Sequence, residues 1–382
     1  MLEVAILGVG QTAVREHWDL SIRQLAVDAG RAAMQDAGVK KVDAIFVGNM
    51  TSGRLNQQHQ LGALVADYLG QWGVEAVKLE AACGSAGSAM RQGILGVASG
   101  EMEAVLVIGV EKMTETNLKE TTAALTGAAD ADYETIHGVT FVGLNALIMR
   151  RYMHEYGYTH GDFAPFALNA HANGAKNPNA IFREPITQKM YDKGRIVAEP
   201  ITLYDASPIG DGAAALLLVP AAKAPTAVRV IGSSSSTDTL AIHDREDMLW
   251  LKAAEQSARQ AYAQAGIGPD DVDLFELHDA FSIMAALSLE ACGFAERGQG
   301  LRVAQAGDIL PNGRIPIATM GGLKGRGHPV GATGLYQIAE ATLQLRGQAG
   351  EAQIDGAHIA MTQNIGGSGA TIATHILQRP SP

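Results

Sequence analysis

Apolar residues fall into two rhythms over the first hundred positions. The short apolar runs Val4 to Val9 and Val42 to Val47 read as buried strands. Between them Ile22, Leu25, Ala26, Ala29 and Ala33 recur at helical spacing, which predicts a helix from about Ser21 to Ala37, stopped by Gly38. A second helix ("LGALVADYLG"), an apolar strand ("VEAVKLEAA"), a small-residue helix and the run "AVLVIGVEKMT" follow. This βαβα order, with near-continuous apolar strands, predicts a mostly parallel sheet with helices on both faces. Gly8 and Gly10 lack the third glycine and immediate helix of a dinucleotide loop, so they read as a turn. From Glu115 to about Tyr204 the alternation stops, which predicts an inserted, largely helical subdomain. Core patterning returns with "DASPIGDGAAALLLVP", and "AAKAPTA" reads as a linker.

Beyond the linker the pattern begins again. "AVRVIGSSSSTD" matches the opening strand, and "WLKAAEQSARQAYAQAGIGPDDVDLFELHDAF" parallels "LAVDAGRAAMQDAGVKKVDAIFVGNM". Each copy leads to a glycine-rich corner before a helix: "AACGSAGSA" in the first half, "GGLKGRGHPVGATG" in the second. The expected organisation is an N-terminal half (1–114 and 205–224), an inserted loop domain (115–204) and a C-terminal half (225–382). A duplicated unit packed by pseudo-two-fold symmetry would bring the two corners together, and with them Cys83 and His328.

Composition narrows the chemistry. The 382 residues carry 44 glycines and a formal net charge of −11, which disfavours a nucleic-acid groove and requires a local basic patch for any anionic substrate. Arg150, Arg151, Lys176, Arg183, Lys189, Lys193 and Arg195, all in the inserted segment, are the candidates for that patch. Two cysteines permit no disulfide framework and no four-cysteine zinc site, and the histidines His59, His137, His154, His171 and His243 share no ligand spacing, so no metal is expected. With no apolar run long enough to span a bilayer and a strand-like start, a cytoplasmic setting without membrane contact is expected.

Cys83 stands where strand gives way to helix, among Gly84, Ser85, Ala86 and Gly87. Free N–H groups at a helix start favour a thiolate, so the pattern predicts a nucleophile with a lowered pKa. Cys292, in "LEACGF", reads as packing.

These residues resemble the thiolase family over nearly the whole chain. The motifs are "EAACGSAGSA", "DASPIGDGAAA", "HDAF" at His278 to Phe281, "GHPVGATG" from His328 and "QNIGGSGAT"; the "HDAF" and "QNIGG" variants look most like the sterol-carrier-protein-type and archaeal acetoacetyl-CoA thiolases. The resemblance implies the thiolase fold: duplicated βαβαβ halves in a five-layered α/β/α/β/α core. It implies thiolytic cleavage of a 3-ketoacyl-CoA, or the reverse Claisen condensation, through an acyl-cysteine. On that basis Cys83 is the nucleophile and His328 the base that forms its thiolate. His278 and His328 line one oxyanion pocket, while the N–H groups of Cys83 and Gly366 form a second. Ser207 falls at the pantetheine contact. Coenzyme A would be substrate, with no tightly bound cofactor. The resemblance also implies a homodimer or dimer of dimers, and a small OB-fold, zinc-ribbon partner protein is possible within such systems.

The chain departs from the family at the second catalytic cysteine, whose two positions are Ala280 and Asn364. Neither side chain can accept an α-proton, which makes His278 a candidate base for enolate formation. The alternatives give His278 an oxyanion role only and assign the base to His328 or to water. Rival functions are a ketoacyl synthase or related acyltransferase, a non-catalytic subunit, and a retro-aldolase, the last disfavoured by the retained cysteine.

Overall fold

The computed structural model describes residues 3–380. Strands β1 (Val4–Gln11), β2 (Ala44–Gly48), β3 (Glu75–Leu79), β4 (Val105–Glu111) and β7 (Gly212–Pro220) belong to the first half. β8 (Val228–Thr237), β9 (Leu274–Glu276), β10 (Ile359–Gly366) and β11 (Thr371–Gln378) belong to the second. A separate pair, β5 (Ile196–Ala198) and β6 (Ile201–Thr202), lies in the inserted segment, whose other elements are helices such as Leu118–Leu125, Phe141–Tyr156 and Ala164–Gly174.

The nine strands run in the order β3-β2-β4-β7-β1-β8-β11-β10-β9. The order is palindromic in kind. β2–β4 and β9–β10 are parallel, β4–β7 and β10–β11 antiparallel, and the halves meet where β1 pairs with β8 over Val4 to Ile6. The duplication read from the sequence is therefore visible in the sheet. The sheet is mixed, however, not mostly parallel: only β2–β3, β2–β4 and β9–β10 are parallel. An apolar run reports burial and carries no direction, and β7 enters the sheet from the far end of the inserted segment.

The expected helix spans Ile22–Ala37, capped by Ser21 and ended by Gly38 in the left-handed conformation. Gly8 and Gly10 are not a turn. Both lie within β1, and a Cβ on them would come within 2.1 Å of the Ala33 carbonyl oxygen and 2.2 Å of that of Ala29, so they let this helix lie directly on the strand.

Two helices form the middle of the molecule. Ser85–Ala98 follows the first corner and Thr333–Arg346 the second, and they pack on each other and on strands of both halves. The second is buried on every side from Thr333 to Thr342, as a helix packed against strands of both halves and against Ser85–Ala98 must be. Several of its polar groups are engaged within the core, though Gln337 Oε1 and Glu340 Oε2 are buried without a partner. Gln337 Nε2 donates to the carbonyls of Glu276, Leu277 and Gln363, and Glu340 lies 3.1 Å from the buried guanidinium of Arg326, which stacks over Tyr336. Among the described residues no helix is long and apolar enough to cross a membrane.

Candidate active site

The two central helices start side by side, and their starts are built differently. At the first, the chain turns through Ala82 in the left-handed region (φ 52°), an unfavourable conformation for a residue with a Cβ. Three hydrogen bonds hold it. The Ala82 N–H donates to Glu80 Oε1 (2.6 Å), the Ser85 hydroxyl donates to the Ala82 carbonyl (2.6 Å), and Ser85 Oγ accepts the Ala81 N–H (2.9 Å). Cys83 is thereby placed at the head of the helix with its sulfur in a cavity of about 400 Å³.

His278 and His328 share that cavity, so the structure joins all three residues. One nitrogen from each ring and Cys83 Sγ lie within 4.8 Å of one another, and the two rings meet edge to face at 5.2 Å. His278 follows β9, and His328 sits in the second corner. A strap, Ser207 to Ile209, crosses both. The Ser207 N–H donates to the Ala280 carbonyl (2.8 Å), and the His328 N–H donates to the Pro208 carbonyl (3.2 Å).

The imidazoles are wired in opposite senses. His278 Nδ1 is approached by the Ile365 N–H (3.4 Å) and by Asn364 Nδ2 (3.3 Å). Both are donors, so Nδ1 keeps its lone pair and the proton resides on Nε2. At His328, Nδ1 lies 2.6 Å from Thr333 Oγ1, whose own proton is directed to the Pro329 carbonyl (3.2 Å). Nδ1–H is then the donor, and Nε2 carries the lone pair. One ring presents an N–H and the other a base. Burial holds both neutral: it pushes His278 down to about 3 and His328 well below its ordinary value, with the positive charge of Arg326 adding to each.

A cysteine with two histidines is also a zinc-like donor set. Here the lone pair of His278 points to Ile365 and Asn364, so only Cys83 and His328 could offer electrons to an ion. The wiring suits proton transfer and hydrogen bonding better than metal binding.

The expected lowering of the Cys83 pKa is overturned. Burial, with the carboxylates of Glu111 and Glu80 adding repulsion, pushes the thiol up to about 12, although the N–H groups of Cys83 and Gly367 pull the other way. Cys83 is therefore a thiol near neutral pH. The Gly367 N–H lies beside the sulfur, and the Gly366 N–H is at the same corner, 3.1 Å from where a Cβ on Gly84 would stand.

Asn364, at one of the vacant cysteine positions, links the site to both helices. Its Oδ1 accepts the Gly87 N–H (3.1 Å), and a Cβ on Gly87 or Gly334 would lie 2.9 or 2.4 Å from that oxygen. Only glycine fits at either place. The symmetry of the small-residue motifs is thus a shared approach to one side chain. Ala280, at the other vacant position, lines the cavity. Asp279 turns away and accepts the Leu323 N–H (2.7 Å). Cys292 is buried outside the cavity, its sulfur 3.1 Å from Gln363 Nε2.

Glu111 was not singled out from the sequence. Its buried carboxylate takes five donors: Asn49 Nδ2 (2.9 Å), the N–H groups of Met50 (2.9 Å), Thr51 (3.0 Å) and Gly331 (2.9 Å), and the Thr51 hydroxyl (2.5 Å). It therefore clamps the His328 corner to a loop of the first half. Its place at the polar end of the run "AVLVIGVEKMT" was the available signal, an acid closing an otherwise apolar strand.

A second groove, about 710 Å³, meets the first cavity at Ala206, Ser207 and Pro208. Arg183, Lys193 and Arg195 line it, with Glu184 as the one acid among them. Ser207 thus stands between an apolar and a basic space. Of the other candidate cations, Arg150 pairs with Glu199 (3.2 Å) and Arg151 with Glu155 (2.9 Å) on the exposed side of the Phe141–Tyr156 helix. Neither they, Lys176 nor Lys189 line either space.

Comparison with known proteins follows the same lines. The family "Thiolase, N-terminal domain" matches residues 4–222 and "Thiolase C-terminal domain-like" matches residues 234–379. The acetyl-CoA acetyltransferase of Methanothermobacter thermautotrophicus is 44% identical over 99% of this chain and 100% of its own length. The benzoylsuccinyl-CoA thiolase subunit BbsB of Thauera aromatica is 33% identical, over 96% of this chain and 95% of its own. The structure of the Ltp2-ChsH2(DUF35) aldolase superposes with a TM-score of 0.88 at 26% identity, covering 99% of this chain and 98% of that one.

Proposed function

Because the chain belongs to the thiolase family, whose two domains match it from residue 4 to 379, and is an acyltransferase of that kind, we propose the following division of labour among its site residues. The observation that carries it is the opposite wiring of the two imidazoles around Cys83. As an acyl-CoA binds, the Cys83 thiol passes its proton to His328 Nε2 while Sγ attacks the thioester carbonyl. The developing oxyanion is met by preformed N–H donors, among them those of Cys83 and Gly367. Collapse expels the coenzyme A thiolate, which takes the proton back from His328 and leaves an acyl-cysteine. His328, neutral again, removes the α-proton of a second acyl-CoA. His278 Nε2–H hydrogen-bonds the resulting enolate oxygen, and the enolate carbon attacks the acyl-cysteine. Release of 3-ketoacyl-CoA returns the proton from His328 to Sγ. Thiolysis is the reverse.

This reading moves the α-proton from His278 to His328. A ring whose Nδ1 is hydrogen-bonded and whose Nε2 already holds a proton is a donor, and turning it into a base would cost two buried hydrogen bonds. Acetyl-CoA and acetoacetyl-CoA are the simplest substrate pair.

Coenzyme A is taken as substrate, its charged end toward Arg183, Lys193 and Arg195 and its arm passing Ser207. A cytoplasmic homodimer is part of the reading. The open edge of β3, whose Val77 is 43% exposed, offers unpaired backbone beside the nucleophile corner. A small OB-fold partner is supported by the names of two similar proteins, one a subunit and one a complex with ChsH2(DUF35).

Incubation with acetyl-CoA followed by peptide mass mapping tests the central step. Acetyl should appear on Cys83, and Cys83→Ala should lower turnover by about 10⁴-fold or more. Acetyl on Cys292, or an active enzyme with no acylated cysteine, would sink the assignment.

A further inference from the structure

The strap that crosses both imidazoles belongs to no helix or strand, and the motif "DASPIGDG" shows what holds it instead. The half-buried run from Ala206 to Ile209 hangs between two aspartates, Asp205 and Asp211, each fully buried. Asp211 is fastened to the first half. Its oxygens accept the N–H groups of His17 (3.1 Å), Met113 (2.7 Å) and Thr114 (3.0 Å) and the Thr114 hydroxyl (2.6 Å). Asp205 is fastened to the inserted segment. Its Oδ1 accepts the Tyr191 hydroxyl (2.6 Å), and its Oδ2 accepts the Thr202 N–H (2.9 Å), the Thr202 hydroxyl (2.8 Å) and the His160 Nε2–H (2.7 Å).

The Asp205 end is the more elaborate. His160, at the head of the turn His160–Phe163, and Tyr191, in the short helix Gln188–Asp192, stack on each other at 4.8 Å with nearly parallel rings, and both donate to the one carboxylate. The Asp205 carbonyl accepts the Ser282 N–H (2.9 Å) and the Lys324 ammonium, so the helix after "HDAF" and the second corner are tied to the same residue. Burial pushes this carboxyl up, but the donors from His160, Tyr191 and Thr202 outweigh it and hold the group below the usual carboxylate range. Taking away one donor leaves part of a buried charge unpaired, which costs more than the bond itself. None of the three side chains of Asp205, His160 and Tyr191 lines the cavity or the groove. Their chain neighbours do: Lys193 and Arg195 follow Tyr191 in the groove wall, and Leu203 and Tyr204 precede Asp205.

We propose that Asp205, His160 and Tyr191 are positioning residues for the coenzyme A carrier: by fixing one end of the strap and the groove wall beside it, they set Ser207 where the arm passes. This rests on the thiolase reading and adds no step to it. The three act on binding and touch none of the reacting atoms. Contacts to the arm are alike in the ground and transition states, so loosening them raises the concentration of acyl-CoA required and leaves the maximal rate in place. The chemistry is insulated from the Asp205 end, because the His328 ring has its own hold at Thr333 and the far end of the strap keeps Asp211.

The test is single-turnover acetylation of Cys83 in the full-length protein, followed by mass over a range of acetyl-CoA concentrations. Tyr191→Phe and His160→Ala should each raise the half-saturating concentration by about tenfold and change the maximal rate by less than about twofold. His160→Gln, which keeps a side-chain N–H near the place of Nε2, should bring the half-saturating concentration back to within about threefold of the parent value. Tyr191→Phe retains the packed ring, so a folding defect in one variant does not remove the other from the comparison. A maximal rate that falls by about tenfold, a half-saturating concentration unmoved in both variants, or a glutamine variant no better than the alanine one would overturn the inference while leaving the thiolase intact. Absence of acetyl on Cys83 in the parent protein would instead overturn the thiolase reading, and this inference with it.

Discussion

The corner at Cys83 and the corner at His328 descend from the same position of a repeated unit, yet they hold their side chains by different means. At Cys83 the backbone does the holding: Ala82 is bent into an unfavourable region and three hydrogen bonds keep it there, while the sulfur in the cavity meets only backbone N–H groups. At His328 the side chain itself is held, through Nδ1 to Thr333, and the strap at Pro208 fixes the backbone behind it. A nucleophile must approach carbon and then leave it, so its support has to lie behind it. A base must keep one nitrogen protonated and one free, so its support has to be on the ring. Equivalent frames have been specialised for those two needs.

The largest expected effect breaks the ring support. Thr333→Val removes the acceptor of Nδ1–H and lets His328 take the other tautomer. Single-turnover acylation should slow by about 100-fold, with Thr333→Ser restoring most of it. In the parent enzyme both rings are held below the ordinary value of 6.5, so the neutral forms needed for acylation already dominate at pH 6. The acid limb of kcat/KM should therefore lie below pH 6, and a limb centred near 6.5 would contradict the paired wiring.

A smaller effect tests the tie between the corners. Glu111→Gln exchanges an oxygen acceptor for an amide nitrogen that faces donors, so kcat should fall about tenfold. The same change removes a negative charge that raises the Cys83 thiol. Capture by iodoacetamide at pH 8 should consequently become faster as turnover becomes slower. Loss of turnover with unchanged or slower alkylation would show that the carboxylate does not act on the sulfur.

The smallest effect concerns the strained backbone. Ala82→Gly relieves a left-handed Ala, offset in part by added freedom in the unfolded chain, so stability should rise by about 0.5–1 kcal/mol. Denaturant unfolding would reveal it. A destabilised variant would mean that Ala82 makes packing contacts worth more than its strain.

How much of this could be read beforehand follows from what each feature depends on. Cys83, His278 and His328 were legible because each lies in a local motif, and their meeting was legible because the motif surroundings repeat. The orientation of β7 was not, since hydrophobic pattern has no direction. The state of the thiol is not legible locally because helix-start N–H groups are local, whereas burial, the larger effect, and then Glu111 at the end of another strand are supplied by the tertiary fold. The tautomer of His278 likewise depends on Ile365 and Asn364, far along the chain. The basic patch was overdrawn for the reverse reason. Sequence proximity grouped Arg150 and Arg151 with Arg183, but helical geometry turned the pair outward onto Glu199 and Glu155.

The central pair of helices also constrains how the chain can be made. Ser85–Ala98 lies on strands of its own half, while its other face is covered by Thr333–Arg346 and strands of the second half, and both helices close on Asn364. At ordinary synthesis rates the first helix must wait on the order of ten to fifty seconds for the second to emerge. During that interval the face around Gly87 is a surface of small apolar residues with nothing on it. The first half already holds a core of its own, from Ala5 to Ala227, so what waits for the second half is the meeting of Cys83 with His278 and His328.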